Sequence, residues 1–180
     1  MRLSIFEDFD EQALVCFTGK LNILSLPTNQ FLGEIIFYEG EIINAKMGAV
    51  EGLKALVNLC LEREKENGNK LVVEPELIDS IVNKINTPLG DLKRRLAELC
   101  ERYIETAKQR PPSRVKLVAR AEVIESKIDI SPSEFSLLCT LSDYSLVDDV
   151  YQHNEMFDYE ITEALGSLRQ KEILKVIKLT

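Results

Sequence analysis

Polar and apolar residues alternate over Lys20-Leu21-Asn22-Ile23-Leu24, which predicts a half-buried strand. A further strand is predicted over Phe31 to Tyr38, and its continuous Ile35-Ile36-Phe37 run suits a central place in a sheet. Gly33 to Tyr38 and Glu41 to Ala45 are two apolar runs flanking Glu39-Gly40. Glycine supplies the positive φ of a tight turn, so this is a hairpin pattern. From about Val50 to Arg63 the period becomes helical, with Leu53, Leu56, Val57 and Cys60 on one stripe. Gly48 and Gly52 permit a tight strand-to-helix connection. Lys70 to Glu74 reads as another strand, stopped by Pro75. The result is a βββαβ-type sheet with helices over one face. Ahead of it, Phe6 to Phe17 is either a helix with acids at its N-terminal end or an acidic turn entering a strand.

A short helix is predicted from Pro75 through Val82, ending near Asn86-Thr87-Pro88. Thr87 then suits an N-cap, Pro88 the first helical position and Asp91 the positive end of the next helix. Leu89, Leu92, Leu96, Leu99 and Tyr103 follow a 3-4-3-4 spacing. That is either a seam pairing two copies of the chain or the buried stripe of one packed helix, and two heptads do not separate these. Arg110-Pro111-Pro112 stops the helix, and Pro111-Pro112-Ser113 is the hinge candidate. Val115 to Ala119 reads as a strand or as the start of a helix through Ile124. Ser131-Pro132-Ser133-Glu134 is a capping box with proline at the first position. It opens a helix to Leu141 presenting Phe135, Leu138, Cys139 and Leu141. A Ser142-Asp143-Tyr144 turn, a short helix over Ser145 to Tyr151, a third helix from Asp158 and a closing strand over Leu174 to Leu179 follow. The expected class is α+β, divided as a mixed sheet and helix domain at 1–79, a bridging helical segment at 80–127 and a further domain at 128–180.

At 180 residues, 45% hydrophobic and 29% charged, the chain is able to build a core. No apolar run nears the roughly 18 residues of a membrane span. The start turns acidic at Glu7 and Asp8, too early for a signal peptide, so a cytoplasmic location is expected without membrane association. Net charge is −8, unevenly placed: 14 acids and 7 bases over 1–79, 7 and 11 over 80–130, 9 and 4 over 131–180. An acidic–basic–acidic chain does not make a broad phosphate-binding surface. Cys16, Cys60, Cys100 and Cys139 form no CxxC pair and read as free, buried thiols. His153 is the sole histidine, so a zinc site is not indicated. Gly48-x-x-x-Gly52 lacks the lysine and hydroxyl of a phosphate loop. Asp148 and Asp149 are sequence neighbours that point apart, so they form no acid/base pair. No cofactor, metal or catalytic set is nominated.

Thr18-Gly19-Lys20-Leu21, Gly33-Glu34-Ile35-Ile36-Phe37, Glu39-Gly40-Glu41-Ile42-Ile43-Asn44-Ala45 and Gly52-Leu53-Lys54-Ala55-Leu56 occur in that order. Residues 13–74 thereby resemble the PATAN-like domain. The Pro27 to Phe31 connection is longer than in that pattern, and the leading helices are short. Helix, short helix, longer helix and strand over about 128–179 resemble the small winged-helix modules that often follow such domains. The resemblance implies a non-enzymatic interaction module of bacterial signalling, whose protein partner is a receiver-domain protein, a small GTPase or a motility or polarity component. A homodimer through Leu89, Leu92, Leu96, Leu99 and Tyr103 is the other association considered. The alternative is a winged-helix transcriptional regulator. Asp158, Glu160 and Glu163 on the third helix oppose DNA binding, and Lys175 and Lys178 read as the exposed face of the closing strand.

Overall fold

The computed structural model describes residues 3–65, 68–78, 83–120 and 129–178. The architecture is α+β, and the chain divides into two compact units, Met1–Glu101 and Arg102–Thr180.

In the first unit, α1 (Ile5–Leu14) precedes β1 (Gly19–Ser25), β2 (Phe31–Tyr38), β3 (Glu41–Met47) and β4 (Val50–Glu51). α2 (Leu53–Arg63) and β5 (Asn69–Pro75) follow. The five strands form an antiparallel sheet in the order β4-β3-β2-β1-β5, so β2 is central as its apolar run predicts. Leu21, Ile35 and Ala45 stand opposite one another across three strands, all fully buried. Helices cover this face. Phe9 of α1 meets Phe37 edge-on, with ring centroids 6.1 Å apart. Leu59 of α2 lies so close over Gly33 that a Cβ there would stand 2.8 Å from it. The other face carries Lys20, Asn22, Glu34 and Glu74, linked by a Lys20–Glu34 pair at 3.7 Å and an Asn22 to Glu74 bond at 2.8 Å.

The hairpin turn has positive φ at both central residues, 49° at Glu39 and 84° at Gly40, which matches the right-handed strand twist. Glu39 holds this conformation because its N–H donates to Thr18 Oγ1 at 2.9 Å, and the Gly40 N–H donates to Phe17 O at 2.9 Å. α2 begins at Leu53 instead of Val50, because Val50 and Glu51 pair with Met47 and Lys46 as β4. Gly52 then makes the corner at φ 74° and ψ −146°, a region essentially closed to residues with a Cβ.

The predicted helix from Pro75 is not formed over its described part. Leu77 is 99% exposed outside any element, and residues 79–82 lie outside the described set. Thr87 is not the N-cap of α3 (Leu89–Ala107), nor is Pro88 its first residue. The Pro88 carbonyl accepts the first helical bond from Leu92, and the Leu89 N–H donates to Glu41 Oε2 at 2.8 Å. A carboxylate from β3 thus sits on the positive end of α3. Within the first unit α3 also reaches α1, since Lys93 Nζ meets Asp10 at 2.6 Å and lies 5.5 Å from the Phe6 ring.

The Leu89, Leu92, Leu96 and Leu99 stripe is buried inside the single chain, with Leu92 and Leu96 fully so. Tyr103, the fifth position of the proposed seam, falls in the second unit and is half-buried. Cys60 and Cys100 are buried too, and burial pushes the Cys60 thiol well up and that of Cys100 to about 12. Cys16 and Cys139 are free like them but exposed, contrary to the expectation of four buried thiols.

In the second unit β6 (Val115–Ala119) resolves the conflicting signals there as a strand, paired antiparallel with β7 (Leu174–Lys178). Between them run α4 (Pro132–Asp143), α5 (Val147–His153) and α6 (Asp158–Gln170). The core gathers Leu117, Leu137, Val150, Ile161, Leu165 and Leu168 from all five elements except β7, which adds Leu174. The Ser131–Glu134 capping box forms as predicted. The inward stripe of α4 forms in part: Leu138 and Leu141 pack against the core, but Leu137 is its fully buried residue, whereas Phe135 is 64% exposed and Cys139 is exposed. No helix among the described residues is long and apolar enough to cross a membrane.

Leu96→Ala should lower unfolding stability in urea by about 2–5 kcal/mol and leave the solution mass unchanged. A wild-type dimer mass halved by this substitution without loss of monomer stability would contradict intramolecular burial. Glu41→Gln should remove about 1 kcal/mol as the α3 cap weakens.

Candidate functional site

α6 buries Tyr159, Ile161, Thr162, Ala164, Leu165 and Leu168, a helical stripe that leaves Glu163, Gly166, Arg169 and Gln170 outward. Its first turn is fixed by Glu160 Oε2, which accepts the Phe157 N–H at 2.9 Å. Gln109-Arg110-Pro111-Pro112 runs alongside. Arg110 is held from three directions: Asp158 Oδ2 at 3.3 Å, Asp148 Oδ1 at 3.5 Å and the Tyr151 ring, whose centroid is 3.9 Å away. Tyr103 Oη donates to the same Asp158 oxygen at 3.4 Å. Tyr151 and Thr162 hydroxyls bond at 2.7 Å, tying α5 to α6 beneath the guanidinium. Burial raises the pKa of both tyrosine hydroxyls, so they stay protonated at neutral pH.

Between this stretch, α6 and the two-stranded sheet lies a groove of about 690 Å³. Leu117, Leu165, Leu174 and Val176 give it an apolar floor, and Arg110 and Arg169 stand at its polar margin. Val176 is 42% exposed, although it shares the inward face of the sheet with Leu117. Gly166 leaves α6 bare here, since a Cβ at that position would meet no atom within 4 Å. Among the described residues no carboxylate, thiol, imidazole or ammonium lines the groove. Its lining offers apolar contact, two guanidinium groups, the Thr162 hydroxyl and the amides of Gln109 and Gln170.

β7 is positioned by a buried carboxylate. Glu134, 2% exposed, accepts from Ser131 N–H and Lys171 Nζ, each at 2.7 Å through Oε2. Lys171 also donates to Asp129 O at 2.7 Å, which ties the α6–β7 connection to the start of α4. Burial opposes ionisation of Glu134, but the Lys171 ammonium, the Ser167 hydroxyl and the Ser131 N–H outweigh it and bring its pKa to about 2. Oε1 has no hydrogen-bond partner of good geometry.

The residues singled out by sequence are not brought together. Leu89, Leu92, Leu96 and Leu99 belong to the first unit's core, whereas Tyr103 touches the Arg110 cluster. Asp148 and Asp149 diverge: Asp148 faces Arg110, and the Asp149 carbonyl lies 2.8 Å from His153 Nδ1. His153 is exposed and stacks on Tyr144 at 3.9 Å. Of the third-helix acids, Asp158 is paired to Arg110 and Glu163 to Arg102 at 3.7 Å, while Glu160 caps its own helix. Among the described residues no group of three or more His, Cys, Asp and Glu side chains could hold a metal ion. Sequence reasoning passed over Arg169, Gly166 and Val176. An isolated glycine inside a helical pattern was the available signal. No family model, curated protein or solved structure matches the chain.

The folded-state pKa of Glu134 lies below its unfolded value of about 4.3. Its contribution is therefore complete above that pH and is lost as pH falls toward about 2. Urea unfolding from pH 7 to 2 should show Glu134→Gln less stable by on the order of 1–3 kcal/mol at pH 7. The difference should shrink below about pH 4.3; a constant difference across the range would refute the linkage.

Proposed function

We propose that the chain is a non-enzymatic protein-interaction module of bacterial signalling, in a response-regulator, polarity or motility pathway. The observation that carries the reading is the second unit's groove, whose apolar floor and arginine margin offer recognition chemistry. The pathway class comes from the PATAN-like resemblance of residues 13–74. The mixed-charge sheet face of the first unit, with Lys20, Asn22, Glu34 and Glu74, is a second surface for a protein partner.

The order α4, α5, α6, β7 favours the competing reading, a winged-helix regulator reading DNA with α6. The side chains α6 exposes argue against it. Glu163 stands among them, Gly166 contributes none, and Arg169 is the single exposed base. A duplex interface needs several phosphate-neutralising cations and amide or guanidinium groups on the reading helix.

Two measurements decide. The full chain, chemically crosslinked in its native lysate after nuclease treatment, should carry a reproducible receiver-domain, GTPase or motility protein. A mobility-shift assay at about 50 mM salt, where phosphate contacts are strongest, should show no retarded duplex. A shift that Arg169→Glu abolishes would replace this reading with the regulator.

A further inference from the structure

Among the described residues β7 is paired on one side only. The small sheet has the order β6-β7, and no strand among the described residues adjoins the second edge of β7. The Arg120 N–H donates to Ile173 O at 2.8 Å, and ladder bonds in an antiparallel pair recur at every second residue. Lys175 and Ile177 therefore face β6, and the main-chain groups of Leu174, Val176 and Lys178 point to the open edge. The far edge of β6 differs, because its Leu117 N–H donates to Ser145 O at 2.7 Å and Lys116 bridges Leu146. Leu174 and Val176, whose backbone groups face the open edge, are also the β7 residues whose side chains line the groove.

A strand added at that edge would place alternate side chains on the face of Leu174 and Val176. Charge decides what such a strand carries. Arg110 is already matched by Asp148 and Asp158. Arg169 is exposed, lines the groove and makes no ion pair among the described residues. Lys175 is exposed on the opposite face of the sheet, opposite Val118. An incoming strand thus meets a cation on each face. A second copy of β7 is the wrong occupant: antiparallel pairing about Val176 would set the two Lys175 ammoniums as diagonal neighbours on one face.

We propose that the free edge of β7 and the adjoining groove bind an extended, acidic–apolar segment of a partner protein, added as a further strand with its apolar side chains in the groove. This rests on the interaction-module reading and names the chemistry of the partner. Main-chain bonds at Leu174, Val176 and Lys178 supply the strand addition. Contacts to Leu165, Gly166 and Val176 select apolar residues, and Arg169 with Lys175 selects acids.

The test uses the full chain and two fluorescein-labelled, acetylated decapeptides, one alternating valine with glutamate and the other valine with lysine, read by anisotropy. The glutamate peptide should bind at least about tenfold more tightly, a preference that Arg169→Glu reduces or reverses. Gly166→Leu fills the groove from a position with free space, so it should weaken the glutamate peptide about tenfold or more while raising Tm by roughly 2–4 °C, leucine being the better helix former. Val176→Pro removes one outward N–H and spares the β6 ladder, so it should abolish binding in a protein that still folds. Amide exchange at Leu174 and Val176 should slow in the complex.

Equal affinity for the two peptides overturns the proposal, as does wild-type binding by folded Gly166→Leu and Val176→Pro. So does a wild-type dimer that Val176→Pro dissociates, which would give the edge to a second copy. The crosslinked lysate partner separates the two ideas. Its capture by both variants at wild-type level leaves the interaction module standing and removes this site. Absence of any partner, together with peptide binding that responds to the variants as stated, removes the module reading and keeps the site.

Discussion

The second unit depends on how Arg110 is held. Its guanidinium lies over the Tyr151 ring at 3.9 Å and spans Asp148 at the start of α5 and Asp158 at the start of α6. Both acids occupy first helical turns, where a carboxylate is favoured by the helix dipole even before it meets the arginine. One planar cation therefore satisfies two helix starts and an aromatic face at once. Lysine would supply a point charge without the fork or the stacking. Pro111 and Pro112 follow directly and restrict the chain as it leaves the guanidinium. The bank of the groove facing α6 is set by this clamp, so its width does not depend on the apolar floor alone.

The first unit solves a different problem, that of a sheet whose two faces, one apolar and one largely polar, need unequal cover. Its inward face is closed by Phe9 on Phe37 and by Leu59 over Gly33. Its outward face is mostly self-satisfied polar pairs. At the β3 side the chain returns, with Lys84 and Ile85 N–H groups both donating to Ile43 O at 2.8 and 2.9 Å. That return brings Glu41 to the start of α3 and buries Ile85. Asn44 is satisfied on one side: its Oδ1 serves Ala45 and Gly52 N–H groups, while its buried Nδ2 has no partner among the described residues. One orphan donor costs roughly 1–3 kcal/mol, which the surrounding apolar burial must offset.

What the sequence made legible was local. The Ser131–Glu134 box, the Glu39-Gly40 turn and the central β2 each depend on residues within a few positions of one another, and each formed as read. The errors came from partners distant in sequence. Thr87 is chemically a fine cap, but Glu41, 48 residues earlier, takes the Leu89 N–H instead. Val50 and Glu51 have no local reason to leave a helical stretch; β3 recruits them as a strand. Phe135 fits an apolar helix stripe on period alone, yet the core lies on roughly the opposite side of the helix, on Leu137. The groove was invisible for the same reason. Its lining is drawn from the Gln109–Pro112 stretch, β6, α6 and β7, none of which contains a motif.

Sheet edges show how the two units treat exposed backbone. The first unit shortens one edge strand to two residues, β4, and ends the other, β5, in Glu74 and Pro75. Both devices suppress pairing with any strand. β7 has neither. It runs five residues without proline, and only lysines interrupt its apolar positions. Lysine on an edge is a selective device, since like charge repels a copy of the same strand but attracts an acidic one. In a chain of net charge −8, Arg169 and Lys175 stand beside one short edge without an ion pair among the described residues, against the prevailing sign. Solubility does not require that placement, because any acidic substitution there would serve it as well. Recognition of an acidic strand would require it, and this asymmetry is what distinguishes the β7 edge from the protected edges of the first unit.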